Sequence, residues 1–101
     1  MSHPDINMLH AHFNNVASSL FQEVYHAFRN EVAGFVRNGD ENVYQMILSK
    51  HRHSFRQRLE RHANSMIDQC NNQETRVRLR ADLTQRIHYF DIEFIRKADE
   101  S

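Results

Sequence analysis

The fold is decided by residues 6–32, which read INMLHAHFNNVASSLFQEVYHAFRNEV. Apolar side chains recur in this stretch at spacings of three and four, at Ile6, Leu9, Phe13, Val16, Leu20, Val24, Phe28 and Val32. An α-helix turns once every 3.6 residues, so this spacing places them on one face, and its first part has the seam of a coiled coil. The pattern therefore predicts a long amphipathic helix over about residues 4–37.

The remaining sequence repeats this pattern in two further segments. A second helix is predicted over about 41–70 and a third over about 73–98. Their apolar seams include Leu48, Phe55 and Leu59 in the second, and Leu79, Leu83, Ile87, Phe90 and Phe94 in the third. Asn38-Gly39-Asp40 and Asn71-Asn72 separate the segments, because Gly and Asn accept the turn conformations that end helices. With two Gly and one Pro in the chain, few other breaks are available.

Short connections make neighbouring helices antiparallel. We therefore predict an all-α fold: a single domain over residues 1–101, built as a long-helix antiparallel three-helix bundle and completed by dimerisation. Asn14, Asn15, Ser18 and Ser19 are weak helix formers, so a break in the first helix would give four helices instead.

Cysteine usage and hydropathy narrow the class of protein. The single Cys70 excludes an intramolecular disulfide and a cysteine-based zinc site, and a small core side chain is the better interpretation of it. Residues 1–12 lack the basic and apolar regions of a signal peptide. No apolar run approaches the roughly 20 residues of a membrane span. We expect a cytoplasmic protein with no membrane partner.

The formal net charge of zero conceals a segregation of charge along the chain. Residues 1–45 have a net charge of −3, residues 46–86 of +5, and residues 87–101 of −2. Eight of the nine bases in the middle segment are arginines, whose guanidinium groups match carboxylate and phosphate. The predicted partner surface on this basic hairpin consists of Arg52, Arg56, Arg58, Arg61, Arg76, Arg80 and Arg86. An acidic protein surface and a nucleic acid both fit it.

The first helix has a second apolar row beside its seam. One groove within the chain would not need both rows, and an exposed apolar row marks an interface. The sequence therefore predicts self-association as a homodimer through Leu9, Phe13, Phe21, Tyr25, Phe28 and Phe35.

Eight histidines are an unusual number for this length. Glu23-x-x-His26 has the spacing of di-metal carboxylate bundles, and His88-x-x-Asp91 is the nearest second motif, which makes Glu23, His26, His88 and Asp91 weak metal candidates. Surface or half-buried histidines without metal are the favoured interpretation, and pH sensing is a further one.

No nucleophile elbow, phosphate loop or Cys/His pair indicates an enzyme or a cofactor. The sequence therefore favours a small helical interaction protein, a regulator, adaptor or inhibitor that binds another protein. Nucleic-acid binding by the same arginines is the first alternative. A histidine-rich metal-binding or pH-sensing bundle is the second.

Overall fold

The computed structural model describes residues 6–35 and 41–100, apart from the side chain of Phe35. It contains three α-helices: α1 (Ile6–Phe35), α2 (Glu41–Asp68) and α3 (Gln73–Glu100). No β-strand occurs in these ranges, so the prediction of an all-helical chain with three packed helices is confirmed. The predicted break at Asn38–Asp40 and the predicted helix ends at residues 4–5 and 36–37 lie outside the described residues.

Contacts between the helices establish an up-down-up arrangement. Glu31, near the end of α1, binds Lys50 and His51 near the start of α2, so these two helices are antiparallel. The Tyr44 hydroxyl of α2 donates to the Ala98 carbonyl at the end of α3, so this pair is antiparallel too. As a result α1 and α3 run parallel, and the whole bundle measures 59 × 18 × 18 Å.

The core is a single column of side chains contributed by all three helices. Phe28 of α1, Phe55 of α2 and Phe94 of α3 are completely buried and meet ring against ring, with Phe94 5.8 Å from Phe28 and 5.6 Å from Phe55 between centroids. Burial of one such side chain stabilises the fold by roughly 1.5–3 kcal/mol. The 3–4 spacing in the sequence therefore predicts this column correctly.

The two apolar rows of α1 are both used inside the bundle. The seam that includes Phe13 and Phe28 is buried in the core, while Phe21 and Tyr25 in the second row are half buried. Phe21 meets both Phe55 of α2 and Phe94 of α3. The expectation that one row is surplus to the chain's own packing is therefore wrong, because α1 packs against two helices and side chains of both rows contact both of them.

The turn between α2 and α3 follows the sequence closely. Asn72 caps α3, since its Oδ1 atom accepts a hydrogen bond from the backbone N–H of Thr75 at 3.2 Å. Cys70 is buried, and its thiol donates to the Met66 carbonyl oxygen at 3.6 Å. The predictions of a turn at Asn71-Asn72 and of a core role for Cys70 are both confirmed. Within residues 6–35 and 41–100, no helix combines the length and the apolar character that a membrane crossing requires.

Candidate functional site

One of the seven predicted partner-binding arginines forms the main ionic contact of the bundle interior. Arg52 of α2 donates to both carboxylate oxygens of Asp91 on α3, from Nε to Oδ1 and from Nη2 to Oδ2, each at 3.1 Å. Asp91 is only 6% exposed, and it is the one buried charged residue among those described. Such a two-point contact is stronger than a single charged hydrogen bond. Arg52 therefore holds α2 to α3 through this contact.

Three more of the predicted arginines have contacts within the chain. Arg58 binds Glu23 of α1 at 2.9 Å, and Arg86 donates to Oδ1 of Asn14 at 3.2 Å. Arg76 lies 3.9 Å from Asp68 across the α2–α3 turn, a looser contact between exposed groups. Arg52, Arg58 and Arg86 thus each have an acceptor on a neighbouring helix, and their part in a continuous basic surface stays a prediction.

Arg56, Arg61 and Arg80 are the predicted arginines that remain exposed without an ion pair to any described acid. Arg56 and Arg80 come from different helices and line the same groove between α2 and α3. Arg61 is also exposed on α2 but does not line this groove. The structure thus brings two of the seven arginines together at one exposed site.

This groove has a volume of about 410 Å³, an apolar floor and a polar rim. Its floor consists of four core side chains, Ala63, Ile67, Leu83 and Ile87. Its rim is polar and exposed, with Arg56 and Glu60 on α2 and Arg80, Thr84 and His88 on α3, beside Asn64. Two guanidinium groups, one imidazole and one carboxylate therefore surround an apolar base.

An exposed stripe on α3 extends the groove at both ends. Val77, Thr84, His88 and Ile92 are spaced by seven, four and four residues, which places them on one side of the helix. Val77 is 60% exposed and Ile92 is 46% exposed. We call the groove together with Val77 and Ile92 the α2/α3 face. It combines unpaired cations with exposed apolar side chains.

A second concavity, of about 690 Å³, lies between α1 and α3. Two of its polar groups lie against acceptors of the same chain: Nε2 of His10 is 3.0 Å from Oδ2 of Asp82, outside hydrogen-bond geometry, and Arg86 donates to Asn14. Tyr89, 58% exposed, borders it. This concavity offers fewer free charges than the α2/α3 face.

The predicted self-association surface is largely internal. Phe13 and Phe28 have no exposed surface, so a second copy cannot reach them unless the bundle opens. Leu9, Phe21 and Tyr25 are half buried against the core. The side chain of Phe35 lies outside the described residues. Homodimerisation stays a prediction, and these residues do not form an exposed row that would carry it.

The weak metal candidates are not brought together. Glu23 binds Arg58 and Asp91 binds Arg52, while His26 and His88 are exposed elsewhere. In the part of the chain that the structure describes, no group of three or more His, Cys, Asp or Glu side chains could hold a metal ion. The two acids of these candidates, Glu23 and Asp91, instead form separate ion pairs with arginines of α2.

Two side chains that lie outside the α2/α3 face, Glu31 and Tyr44, have shifted pKa values. Hydrogen bonds from Lys50 and His51 hold the pKa of Glu31 below its usual value. Burial, aided by the charge of Asp99, raises the pKa of the Tyr44 phenol. Glu31 fastens α1 to α2, and Tyr44 fastens α2 to the end of α3. Both contacts are therefore structural.

His62 differs from these groups because its Nε2 atom is buried without a hydrogen-bond partner among the described residues. Its ring centroid lies 5.4 Å from that of His12 and 6.1 Å from that of Phe13. Burial, and then the nearby His12, lower the pKa of His62. The pH-sensing alternative therefore has a specific candidate in His62.

Apart from Arg56 and Arg80, the exposed members of the α2/α3 face were not placed on one surface from the sequence. These members are Glu60, Asn64, Val77, Thr84, His88 and Ile92. The helical spacing of Val77, Thr84, His88 and Ile92 was a usable signal, but the alignment of this stripe with Arg56 depends on how α2 and α3 are rotated. Comparison with protein-family models, with curated proteins and with solved structures found no match to this chain.

Proposed function

We propose that the chain is a protein–protein interaction module that binds an acidic surface of another protein through the α2/α3 face. In this role it acts as a regulator, adaptor or inhibitor. One observation carries the proposal: Arg56 and Arg80 are exposed, have no described acid as partner, and line one groove. The chain binds most of its other hairpin arginines to its own acceptors, so two arginines without a described acid on one groove are unusual within this molecule.

The chemistry of the face favours a protein partner over nucleic acid. Glu60 stands on the same rim as Arg56 and Arg80 and would repel a phosphate backbone. Nucleic-acid-binding domains usually have a marked positive charge, whereas this chain has a formal net charge of zero. Carboxylates placed opposite the two arginines can avoid Glu60, while a continuous row of phosphates cannot.

The same chemistry predicts how the binding behaves. Exposed ion pairs contribute roughly 0–1 kcal/mol each and weaken as salt rises. Electrostatic complementarity of this kind governs association rate and choice of partner more than affinity. We therefore expect capture of the partner to weaken between low and high salt.

The proposal is tested by affinity capture from a nuclease-treated extract of the native host. Three baits are compared: the wild-type chain, the double variant Arg56→Glu/Arg80→Glu, and the control Arg78→Glu. Arg78 is exposed and lies two residues from Arg80, so it faces away from the groove. We expect one protein to be retained by the wild-type and control baits and lost with the double variant.

Two outcomes would contradict the proposal. Capture of the same protein by all three baits would show that the α2/α3 face is not the binding surface. Loss of all specific capture on nuclease treatment would favour the nucleic-acid alternative. Circular dichroism of each bait verifies that the substitutions, all at exposed positions, leave the helices intact.

A further inference from the structure

The α2/α3 face has its chemical groups in a fixed order along the bundle axis. Arg52 lies level with Asp91, because the two side chains bind each other across the antiparallel pair. One turn further along α2 and one turn back along α3, Arg56 comes level with Ile87 and next to His88. Along α3 the order is therefore apolar Val77, cationic Arg80, the neutral Thr84, a second cationic level where Arg56 lies beside His88, and apolar Ile92.

The distances between these levels suit a helix. Val77 and Ile92 are 15 residues apart on α3, which corresponds to about 22 Å or four turns. The two cationic levels lie about 10–12 Å apart along the axis, the rise of seven to eight helical residues. A ligand helix laid along the groove has the same rise as α3, so its side chains stay level with the face over the whole distance.

An extended segment does not meet the same requirements. At about 3.3 Å per residue, two acids 10 Å apart in a strand are three residues apart, and residues separated by an odd number point to opposite faces. One of the two carboxylates would then point away from the groove. A helix places residues seven apart on the same side, so both carboxylates reach the rim.

We propose that the α2/α3 face binds an acidic amphipathic helix of about 15 residues in its protein partner, which deepens and rests on the function proposed above. The helix has apolar residues at its first seam position, against Val77, and at its fifteenth, which lies within one residue of the level of Ile92. It has Asp or Glu at the fourth and eleventh positions, against Arg80 and the Arg56–His88 level. A small or apolar residue occupies the eighth position, since a carboxylate there would meet Glu60.

Glu60 gives this proposal its specificity. It stands on α2 one turn from Arg56, on the same rim and between the two cationic levels. A uniformly acidic helix would be attracted to both arginines but repelled by Glu60, because like charges at close range interact unfavourably. The face therefore selects acids seven residues apart over acids one turn apart.

The test uses a displayed library of 18-residue helices in which only these five seam positions vary. Selection on the wild-type chain is expected to enrich Asp or Glu at the fourth and eleventh positions and to deplete them at the eighth. Selection on Arg56→Glu/Arg80→Glu is expected to enrich Lys or Arg at the fourth and eleventh positions instead. Selection on Arg78→Glu, which has one of the same charge changes outside the groove, should reproduce the wild-type result.

Fluorescence anisotropy on the best wild-type peptide then gives the size of the effect. We expect the double variant to bind it about tenfold more weakly or worse, equivalent to a loss of roughly 1.4 kcal/mol. An acidic preference that persists in the double variant would overturn the proposal, as would a library without enrichment at the fourth and eleventh positions. If the library fails while the extract still yields a partner dependent on Arg56 and Arg80, the helix inference is wrong and the proposed function stands.

Discussion

Arg52 and Arg56 lie one helical turn apart on α2 and serve opposite purposes. Arg52 points into the contact with α3 and binds the buried Asp91 at two points. Arg56 lies on the exposed rim of the groove and has no described acid as partner. The same residue type at adjacent turns is therefore a structural tie in one place and a candidate recognition group in the other.

The acid across the groove accounts for this difference. In the antiparallel pair, Asp91 stands level with Arg52, whereas the residue level with Arg56 is the apolar Ile87. A run of arginines in a helical sequence thus cannot be assigned to binding as a group. Each one must first be checked for an acceptor on the neighbouring helix.

Arg52→Ala is the substitution with the largest expected effect on the free energy of unfolding. It tests the structural role of Arg52, the inner of the two arginines. It removes the cation that pairs with the Asp91 carboxylate, and the Asp91 side chain is only 8% exposed. Loss of one partner of a fully buried ion pair costs about 3–5 kcal/mol; because the Arg52 side chain is 32% exposed, we expect about 2–3 kcal/mol. Arg56→Ala should change the free energy of unfolding by less than about 0.5 kcal/mol. Urea denaturation at pH 7 measures both.

A rescue variant separates the ion pair from simple loss of packing. Arg52→Met combined with Asp91→Leu replaces the pair by apolar groups, an exchange that is often nearly neutral or stabilising. We expect this double variant to recover most of the stability lost in Arg52→Ala. Equal effects of Arg52→Ala and Arg56→Ala would contradict the division between the inner and the outer arginine.

The second point to test is the register between α2 and α3, which determines which arginine of α2 lies level with Asp91. Asn72 caps α3 and so fixes where the chain re-enters a helix after α2. Asn72→Ala leaves the Thr75 N–H without this acceptor and should cost about 1 kcal/mol, the typical value for loss of an N-cap. Thermal and urea denaturation both report it.

Asn72→Asp is the matched control, since an aspartate keeps an oxygen at the capping position and favours a helix N-terminus. Stability close to that of the natural chain is expected. If Asn72→Ala and Asn72→Asp lose the same stability, the cap is not what fixes the turn.

The sequence predicts the helices well because helix formation and burial depend on local spacing. The seam from Phe13 to Phe28 and the breaks around Asn72 are readable from their neighbours alone. Even the two apolar rows of α1 are visible in the sequence. Their use is not, because a second row can cover another helix of the same chain or a second copy.

The candidate site could be predicted only in part, for a related physical reason. An arginine such as Arg58 is free or bound according to the rotation of α2 against α1, which brings Glu23 within 2.9 Å. That rotation is set by the packing of the whole core and leaves no local pattern. Charge counting therefore finds the basic hairpin, whereas only the packed structure separates Arg56 and Arg80 from their neighbours.

Histidines on α2 repeat the comparison between an inner and an outer residue, with the smallest of the three expected effects. His62 is half buried with its Nε2 atom unpartnered, whereas His53 is exposed. Burial and then His12 lower the folded-state pKa of His62 below its ordinary value near 6.5. Because the unfolded chain binds this proton more readily, stability is retained above pH 6.5 and decreases as the pH falls below it.

The measurement is the free energy of unfolding at pH 7.5 and at pH 5.5 for the natural chain, His62→Gln and His53→Gln. Both pH values lie above the range in which Glu31 titrates, since its pKa is already held below 4.5 by Lys50 and His51. We expect His62→Gln to lose less stability between the two pH values than the natural chain does, because glutamine binds no proton. His53→Gln should keep the natural dependence. An identical loss in all three proteins would mean that the buried ring of His62 takes up its proton as easily as an exposed one, and the distinction between inner and outer histidines would fail.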